Sequence, residues 1–372
     1  METVLIIAGN ARSLIANRGD LIRALQQRQV RVAAIVPKDD YLPEVEKLGI
    51  EIYTTNLERT KAGLFSDILA CLELYRIIRS VRPTVVLSYT AKCVIYGSIA
   101  ARWAKVHRIF SMITGLGHVY TTHSLKTRIL RKITAALYRF SLNRNQAVFF
   151  QNPDDEAEFL SSGILKQSTP SVRINGSWVN LERFARTELP EGSHVAFLFA
   201  GRLLHEKGIG EFCQAAEIVA KRCPKAKFIV VGPHDPRLPH AWKIEELERW
   251  KREPYLQFTG GGSDVRPWIA KCSVFVLPSY REGTPRVVLE AMSMGRPIIT
   301  TDAPGCRETV ANGINGFLVP PRAVEPLAEA MMRFLDTPQI IRSMADESYR
   351  IVREKYDVNK VNKVILQTMG IE

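Results

Sequence analysis

Two cations in the second half of the chain have the type and spacing expected of a diphosphate-binding site. Arg202 and Lys207 follow the strand-like segment FLFAG and are separated by four residues in RLLHEK. Two such cations could clamp a diphosphate and neutralise its charge. Lys207-Gly208 opens the next predicted helix, where a basic side chain opposes the helix dipole unless an anion is bound. Taken by themselves, the two residues could equally be a solvated loop pair.

Two carboxylates lie in the segment 273–295, SVFVLPSYREGTPRVVLEAMSMG. Its pattern predicts a strand, a tight loop carrying Glu282-Gly283, and a helix that begins near Pro285 and ends at Gly295. Gly283 lets the backbone approach a ligand closely, and the free N–H groups of the helix start favour a phosphate. Glu290 follows Glu282 by eight residues, about two helical turns along.

Carboxylates are poor partners for phosphate but good acceptors for neighbouring sugar hydroxyl groups. Glu282 and Glu290 on either side of an anion site therefore indicate a phosphate that is linked to sugars on both sides, which is a nucleotide sugar. A solvated helix residue is the alternative for Glu290 considered alone.

The elements that must position these residues alternate between short apolar strands and amphipathic helices, which is typical of βα units on a parallel sheet. In the first half, strands are predicted from Val4, Val30, Ile50, Thr84, Arg108 and Ala147, and helices over 18–28, 65–80, 91–105 and 124–143. In the second half, strands are predicted from Val195, Lys227, Tyr255, Ser273, Pro297 and Gly316, and helices over 208–222, 264–271 and 285–294.

A stretch rich in Gly, Ser and Pro, residues 163–193, interrupts this alternation and indicates a linker. The sequence therefore predicts an α/β protein with two Rossmann-like domains that face each other across a cleft, where ligands bind beyond the carboxyl ends of the strands. The first domain is placed at 1–180 and the second at 190–350. Residues 351–372 are predicted to form a helix that packs back on the first domain.

The charge of the 372-residue chain is concentrated in one region. The formal net charge is +13, and no acidic residue occurs between Glu73 and Asp154. Such an asymmetry indicates a polyanionic partner: a nucleic acid, an anionic membrane surface or a phosphorylated substrate. A solvated basic face is the alternative. Nucleic acid is disfavoured because interleaved aromatic residues and a recognisable binding motif are lacking. The thirteen basic residues of the region are Arg76, Arg79, Arg82, Lys92, Arg102, Lys105, Arg108, Lys126, Arg128, Arg131, Lys132, Arg139 and Arg144.

The compartment can be inferred from the cysteines and from the apolar runs. The six cysteines form no C-x-x-C pair and lie in apolar or helical segments, as expected of buried thiols in a reducing compartment. The first residues resemble a strand and not a signal peptide, and no run approaches 18 apolar residues. We therefore expect a cytoplasmic protein whose membrane contact, if it has one, is peripheral.

The predicted helix 124–143 combines an apolar stripe with five basic residues. A basic amphipathic helix of this kind suits the surface of an anionic membrane. The alternative places the apolar stripe in the domain core and the basic face in water. The five basic residues are Lys126, Arg128, Arg131, Lys132 and Arg139.

The motifs named above occur in an order that resembles the GT-B glycosyltransferases of family 4, which are retaining and need no metal. Gly201-Arg202 and Lys207-Gly208 are followed by Glu282-Gly283, Glu290-Ala291 and Gly295-Arg296-Pro297. The segments FQNPDDEAEF, INGSWVNLERF and TDAPGCRETV agree further. The last of these, with SYREGTPRVVLEA, resembles the bacterial branch that extends undecaprenyl-diphosphate-linked sugars, including the lipid-linked diacetylbacillosamine N-acetylgalactosaminyltransferases.

This resemblance implies a UDP-sugar as donor substrate, with no cofactor and no metal. Arg202 and Lys207 would bind the donor diphosphate and Glu282 the hydroxyls of the transferred sugar, while Glu290 would hold the nucleotide ribose. The remaining donor contacts that it implies are Gly201, Gly232, Gly260, Gly283, Thr284, Pro285 and Arg286. The base would lie near Gly232 and Gly260, although FTGGGSDV departs from the usual single glycine.

Acceptor-binding residues are expected in the first domain. Gly9 and Asn10 follow the first strand, Arg18 is predicted near a helix start, and Lys92 matches a lysine of the lipid-acceptor branch. His118, in ITGLGHVY, is expected to contact acceptor or donor sugar and to act with Arg202, Lys207 and Glu282 in catalysis, although a lone histidine is also commonly structural.

The function implied is transfer of a sugar, a HexNAc such as GalNAc, to a polyprenyl-diphosphate-linked saccharide in bacterial glycan assembly. The enzyme would work on the inner face of the cell membrane, with other glycan-assembly enzymes as further partners. A soluble glycosyltransferase with a water-soluble acceptor and a nucleotide-sugar epimerase are the alternatives.

Overall fold

The computed structural model describes residues 2–57, 64–116, 125–191, 194–238, 240–262 and 264–372, with only the backbone of 64–65 and 125–127. The chain divides into two compact units, Met1–Ser177 with Val358–Glu372, and Trp178–Asp357. Each unit contains one parallel sheet with helices packed on it.

The sheet of the first unit has seven strands in the order β3-β2-β1-β4-β5-β6-β7 within the described residues. Its strands are β1 Thr3–Ile7, β2 Arg31–Pro37, β3 Glu51–Thr55, β4 Val85–Tyr89, β5 Arg108–Ile113, β6 Ala147–Phe150 and β7 Ser171–Arg173. Its helices up to β7 are α1 Ala11–Gln26, α2 Leu42–Glu46, α3 Leu64–Val81, α4 Ala91–Trp103, α5 Leu125–Leu142 and α6 Pro153–Ser161.

The centre of this sheet is β1 paired in parallel with β2 on one side and β4 on the other. Every residue of β1 and β4 is buried, because helices cover both faces of such a sheet and leave no polar side. The strand order reverses between β1 and β4, and ligands of open parallel sheets bind beyond the carboxyl ends of strands at such a reversal. The loops after β1 and β4 therefore mark one candidate site.

The sheet of the second unit has six strands in the order β10-β9-β8-β11-β12-β13 within the described residues. Its strands are β8 Ala196–Ala200, β9 Lys227–Val231, β10 Leu256–Phe258, β11 Val274–Leu277, β12 Ile298–Thr301 and β13 Gly316–Val319. Its helices are α7 Ile209–Arg222, α8 Ile244–Trp250, α9 Arg266–Lys271, α10 Arg286–Ser293, α11 Val324–Asp336 and α12 Ile340–Lys355.

The strand order of the second unit reverses between β8 and β11, which pair in parallel. The loop after β8 carries the Arg202–Lys207 segment, and the loop after β11 carries Glu282. The reversal thus places the two motifs of the sequence analysis at the same edge of one sheet.

The last helix, α13 Val358–Thr368, belongs to the first unit and packs on α1. Arg108 of the first unit fixes the chain end, because its guanidinium donates hydrogen bonds to the carbonyl oxygens of Met369 and Gly370. The chain changes units between Asp357 and Val358, seven residues beyond the predicted boundary at 350.

Two expectations about the first unit were wrong in detail. Helix α1 begins at Ala11 and not at residue 18, because Asn10 caps it by accepting a hydrogen bond at Oδ1 from the backbone N–H of Ser13. The predicted linker contains β7, which extends the first sheet beside β6.

Candidate active site

The loop after β8 reaches the end of β11 through a glycine. Gly208, at φ 74°, follows a short 3₁₀ turn, His205–Lys207, and precedes α7. A Cβ at this position would lie 2.1 Å from the carbonyl oxygen of Pro278. The left-handed conformation and the close approach both require glycine, so the loop is held directly against the segment that follows β11.

A single carbonyl joins the two loops. The backbone oxygen of Glu206 accepts a hydrogen bond from the backbone N–H of Tyr280 at 2.9 Å, and Ser279 Oγ lies 3.0 Å from the same oxygen. Ser279 Oγ also lies 2.8 Å from Oε1 of Glu282. Because a hydroxyl has one proton, Ser279 donates to one of these two oxygens at a time. Its side chain thus lies between the Glu206 carbonyl of the first loop and the Glu282 carboxylate of the second.

Lys207 and Glu282 form an ion pair through Nζ and Oε1. The two side chains are 19% and 14% exposed, so the pair is largely enclosed by protein but still open to solvent. The sequence assigned separate tasks to these residues, the phosphate to Lys207 and sugar hydroxyls to Glu282. The fold brings the two charges together, because β8 and β11 are neighbours in the sheet.

Arg202 differs from Lys207 in being exposed. Within the described parts of the chain its guanidinium has no hydrogen bond or ion pair to a protein group. An exposed, unpaired cation at the carboxyl edge of a parallel sheet suits an anionic ligand, and it lies in the same loop as Lys207.

Glu290 is buried on α10, at 9% exposure, and accepts a hydrogen bond at Oε1 from Arg286 Nε at 2.9 Å. Burial raises the pKa of Glu290 above the usual range of a glutamate, and the Arg286 guanidinium opposes this rise without cancelling it. A buried carboxylate with a shifted pKa is typical of a functional site, although a structural ion-pair network can also shift a pKa.

Glycines also bring together the loops after β8, β9 and β10. A Cβ on Gly232 would lie 1.7 Å from the carbonyl oxygen of Gly201, and the Gly232 N–H donates to the carbonyl oxygen of Gly260 at 2.9 Å. These three glycines were expected near the donor nucleotide. They lie in loops at one edge of the sheet, where Gly232 is buried, Gly201 is half-buried and Gly260 is exposed.

The segment Thr301–Thr309 packs against the loop that carries Glu282 and makes hydrogen bonds to it. In the sequence analysis this segment was identified only as part of a family motif. The Glu282 N–H donates to the carbonyl oxygen of Pro304 at 2.9 Å, and Thr301 Oγ1 donates to the carbonyl oxygen of Ser279. A Cβ on Gly305, at φ 80°, would lie 2.2 Å from the carbonyl oxygen of Glu282. Sequence reasoning missed Ser279 and Gly305, and the motif TDAPGC was the available signal for the second.

Thr284 and Pro285, which the sequence assigned to donor binding with Gly283, complete the turn into α10. Thr284 is buried, and its Oγ1 donates to the carbonyl oxygen of Gly283 at 2.9 Å. Pro285 is the N-cap residue, so α10 begins at Arg286, one residue later than predicted. The backbone N–H groups of this first turn lie at the same edge as Glu282.

The first-unit residues expected to bind an acceptor occupy two neighbouring loops. Gly9 follows β1, where a Cβ would lie 2.6 Å from Thr90 Oγ1 in the loop after β4. Asn10 serves as the cap of α1. Lys92, the second residue of α4, donates to Asp67 Oδ1 at 2.7 Å, and His118 lies outside the described residues.

Arg18 is not at a helix start but two turns inside α1, and it is 1% exposed. Its guanidinium carbon lies 4.5 Å from the centre of the Tyr89 ring, a cation–π contact in the interior of the unit. Because it faces the sheet, Arg18 is not presented to a ligand in this structure, and the expected phosphate contact does not follow from it.

Helix α5 turns part of its apolar stripe toward solvent. Arg128, Lys132 and Arg139 are exposed and Arg131 is half-buried, while the side chain of Lys126 lies outside the described residues. The exposed apolar side chains are Ile129 at 61%, Leu130 at 43%, Ile133 at 49% and Phe140 at 57%.

Two regions of the chain match known protein families. Residues 4–152 match the family described as "Glycosyl transferase 4-like" and residues 194–337 the family described as "Glycosyl transferases group 1". The chain is a GT4-like glycosyltransferase. Each of its two sheets lies within one of the matched regions, apart from β7 and Thr3, the first residue of β1.

One similar protein is the N,N'-diacetylbacillosaminyl-diphospho-undecaprenol alpha-1,3-N-acetylgalactosaminyltransferase of Campylobacter jejuni, 27% identical, with 92% of this glycosyltransferase and 91% of that protein covered. Another is the UDP-Gal:alpha-D-GlcNAc-diphosphoundecaprenol alpha-1,3-galactosyltransferase of Escherichia coli, 25% identical, with 88% and 85% covered.

Solved structures share the fold. HepE of Anabaena in complex with UDP and glucose superposes with a TM-score of 0.80 at 18% identity, covering 100% of both chains. The sucrose-phosphate synthase of Thermosynechococcus elongatus gives 0.78 at 17% identity, covering 99% of this glycosyltransferase and 98% of that chain. The glycosyltransferase thus has the GT-B fold. Among its described residues no helix is long and apolar enough to cross a membrane.

Proposed function

We propose that this glycosyltransferase transfers a sugar from a UDP-sugar to a polyprenyl-diphosphate-linked saccharide. The observation that carries the proposal is the arrangement at the edge of the second sheet. There an exposed Arg202, the Lys207–Glu282 ion pair and the buried Glu290 lie in the loops and the helix that follow β8 and β11. Cations for a diphosphate and carboxylates for sugar hydroxyls are the groups that a nucleotide sugar requires.

In this proposal Arg202 and Lys207 bind the donor diphosphate, and Gly283, Thr284, Pro285 and Arg286 add contacts at the start of α10. Negative charge develops on the leaving diphosphate, where fixed cations and helix N–H groups stabilise it without reorganisation. Glu282 accepts hydrogen bonds from the transferred sugar. Its pairing with Lys207 holds the carboxylate beside the phosphate-binding cation, so the sugar and its leaving group are positioned by one pair of side chains.

Glu290 accepts hydrogen bonds from the ribose hydroxyls, and the loops at Gly201, Gly232 and Gly260 surround the base. Retention of the anomeric configuration follows if the acceptor attacks from the side of the leaving group, with a donor phosphate oxygen taking the acceptor proton. We infer no metal requirement, since the diphosphate charge is met by Arg202, Lys207 and backbone N–H groups.

The acceptor is inferred from the similar proteins and from charge. The Campylobacter jejuni and Escherichia coli proteins are both named for undecaprenol-linked diphosphate saccharides, and the HepE complex contains UDP. The acid-free region 74–153 lies in the first unit, which gives that unit the charge to approach an anionic lipid surface. Gly9, Asn10 and Lys92 are the proposed acceptor contacts, with a HexNAc such as GalNAc as the transferred sugar.

Location follows from the acceptor. A lipid-linked saccharide is confined to the bilayer, so the enzyme works peripherally on the inner face of the cell membrane, where α5 offers exposed cations and apolar side chains. Other enzymes of glycan assembly, which must supply the acceptor, are the expected neighbours.

The test is a panel of UDP- and GDP-sugars, each incubated with an undecaprenyl-diphosphate-linked saccharide while nucleotide release is measured. We expect UDP release that depends on the acceptor, an unchanged rate in EDTA, and an α-linked product by NMR. Arg202→Ala should abolish most turnover, whereas Arg222→Ala, which removes another exposed arginine of the same unit, should not.

Sugar conversion without acceptor would show an epimerase. Full turnover with a water-soluble acceptor, and none with the lipid-linked one, would show a soluble transferase. Either result would overturn the proposal.

A further inference from the structure

Helix α3 exposes an apolar triad that its sequence alone does not explain. Ile68, Leu69 and Leu72 are 58%, 51% and 40% exposed, while Leu74 and Ile78 of the same helix are fully buried. The helix therefore already has a complete inward face, and the triad is a second apolar surface in its first half.

The acidic residues of α3 are turned away from this surface. Asp67 accepts hydrogen bonds from Lys92 Nζ at 2.7 Å and from Tyr96 OH at 2.9 Å. Glu73 Oε2 accepts from Thr55 Oγ1 at 2.9 Å and from the Asn56 N–H at 3.0 Å. Both carboxylates are thus engaged with neighbouring groups.

The other exposed side chains of α3 are two cations, Arg76 and Arg79, and two serines, Ser66 and Ser80, so no carboxylate is among its described exposed residues. The sequence lacks acidic residues only after Glu73. On the surface, however, the exposed residues of α3 before Glu73 also include no carboxylate, so the whole described outer face of this helix is free of acidic groups. Charge complementarity therefore favours an anionic occupant.

The triad lies on the same side of the sheet as the exposed apolar residues of α5. Helices α3, α4 and α5 connect successive strands in the order β3, β4, β5 and β6, and right-handed crossovers place them together on one face. Helix α4 packs against both α3 and α5. Because each helix starts at the carboxyl edge of the sheet, the triad and Ile129, Leu130 and Ile133 lie toward that edge, with the start of α4 between them.

We propose that α3 and α5 form one two-helix surface that enters the headgroup region of an anionic bilayer. The apolar side chains reach the acyl boundary, and Arg76, Arg79, Arg128 and Lys132 meet lipid phosphates. The proposal rests on the proposed function, which places the acceptor in that bilayer. It extends the contact from one amphipathic helix to two, with the Lys92 end of α4 between them.

The test compares two triple variants by cosedimentation with vesicles of phosphatidylcholine alone or mixed with phosphatidylglycerol. I68S/L69S/L72S removes the triad, and I244S/I314S/V364S removes three other side chains that are 45%, 52% and 40% exposed. We expect the first to reduce partitioning into the anionic vesicles at least about tenfold and the second to leave it unchanged. Equal partitioning of the two triple variants would overturn the proposal.

A second measurement does not depend on loss of binding. Tryptophan placed at Leu69 should be quenched by brominated lipid in anionic vesicles, and tryptophan placed at Ile314 should not. An unquenched Trp at Leu69 in the vesicle-bound protein would overturn the proposal. So would a concentration-dependent dimer that the triad variant alone abolishes, because the occupant would then be a second copy of the chain.

Turnover with a short-chain, water-soluble polyprenyl-diphosphate acceptor separates this inference from the proposed function. The triad variant should keep that turnover while losing vesicle binding. If the unaltered protein binds vesicles through the triad but does not turn over this acceptor, the proposed function is wrong, whereas the proposed membrane-binding surface is supported.

Discussion

Lys207 Nζ donates a hydrogen bond to Glu282 Oε1, so the cation and the carboxylate of the two motifs proposed to bind the donor are each other's partner. The residues are 75 positions apart in the chain. Their pairing leaves Arg202 as the exposed cation of its loop, and it means that a change at either residue alters the charge environment of the other.

Lys207→Gln should lower kcat about 100- to 1,000-fold, because a fixed donor for charge on the leaving diphosphate is removed. The matched control is Lys221→Gln on α7, whose side chain is 72% exposed and pairs with Glu217 one turn away. Steady-state kinetics with the accepted UDP-sugar would check this. Normal turnover by Lys207→Gln would show that the diphosphate is stabilised elsewhere.

Ser279→Ala should reduce turnover with a modest loss of stability. Its hydroxyl lies within hydrogen-bond distance of both the Glu206 carbonyl and Glu282 Oε1, so its loss frees the carboxylate to reorient. Ser293→Ala is the control, because Ser293 is equally buried and donates to the carbonyl of Phe184. Each change should cost about 1 kcal/mol of unfolding free energy, measured by denaturant titration, and only Ser279→Ala should lower kcat. Equal activity of the two variants would remove Ser279 from the site.

Much of this site could be predicted from the sequence because its strands are buried on both faces. The predicted start of β8 at Val195 and the predicted helix 285–294 differ from the structure by one residue, since continuous apolar runs and the flanking glycines define such elements sharply. The Lys207–Glu282 pair was not predicted. It depends on β8 and β11 being adjacent, which is a property of the strand order and not of either motif.

The first unit shows where local patterns mislead. The side chain of Asn10 caps α1, and this capping signal should have moved the predicted helix start from residue 18 to Ala11. Strand β7 escaped notice in the predicted linker because it has three residues and its side chains are half-buried or exposed. Nothing in the sequence distinguishes the inward-facing acids of α3 from solvated ones.

Glu290→Gln should stabilise the fold near neutral pH while weakening donor binding. Burial raises the pKa of Glu290, so between the usual glutamate pKa and that raised value the folded chain holds a proton that the unfolded chain has released. Stability therefore falls as the pH rises through this window. Glutamine carries no such cost and can still accept the Arg286 hydrogen bond.

Thermal unfolding at several pH values would check the sign of this effect. The Tm advantage of Glu290→Gln should be present above the raised pKa and vanish below the usual one. Loss of the charged acceptor should weaken UDP binding roughly 10- to 100-fold, measured by calorimetry. A Tm advantage that grows toward acidic pH would contradict the assigned cause.

Gly305→Ala and Gly313→Ala form a pair with the same backbone angle. Both glycines have φ 80°, but a Cβ on Gly305 would lie 2.2 Å from the Glu282 carbonyl oxygen, whereas a Cβ on Gly313 has nothing within 4 Å. The left-handed conformation alone should cost Gly313→Ala about 1–2 kcal/mol. Gly305→Ala should cost more and displace the Glu282 loop, which denaturant titration and donor affinity would measure together. Equal losses of unfolding free energy in the two variants would mean that the Glu282 loop moves away from the added Cβ without destabilising the protein.

The hydrogen bonds at the Glu206 carbonyl, which join the loops after β8 and β11, have a consequence for altering this enzyme. Because the acceptor there is main chain, substitution of the side chain at position 206 leaves the bond from the Tyr280 N–H available. Libraries that diversify position 206 to change the preferred sugar can therefore sample new side chains while the spacing between the two motifs is retained. Gly208 cannot be substituted in the same way, because a Cβ at this position would lie 2.1 Å from the carbonyl oxygen of Pro278 and would push the two loops apart.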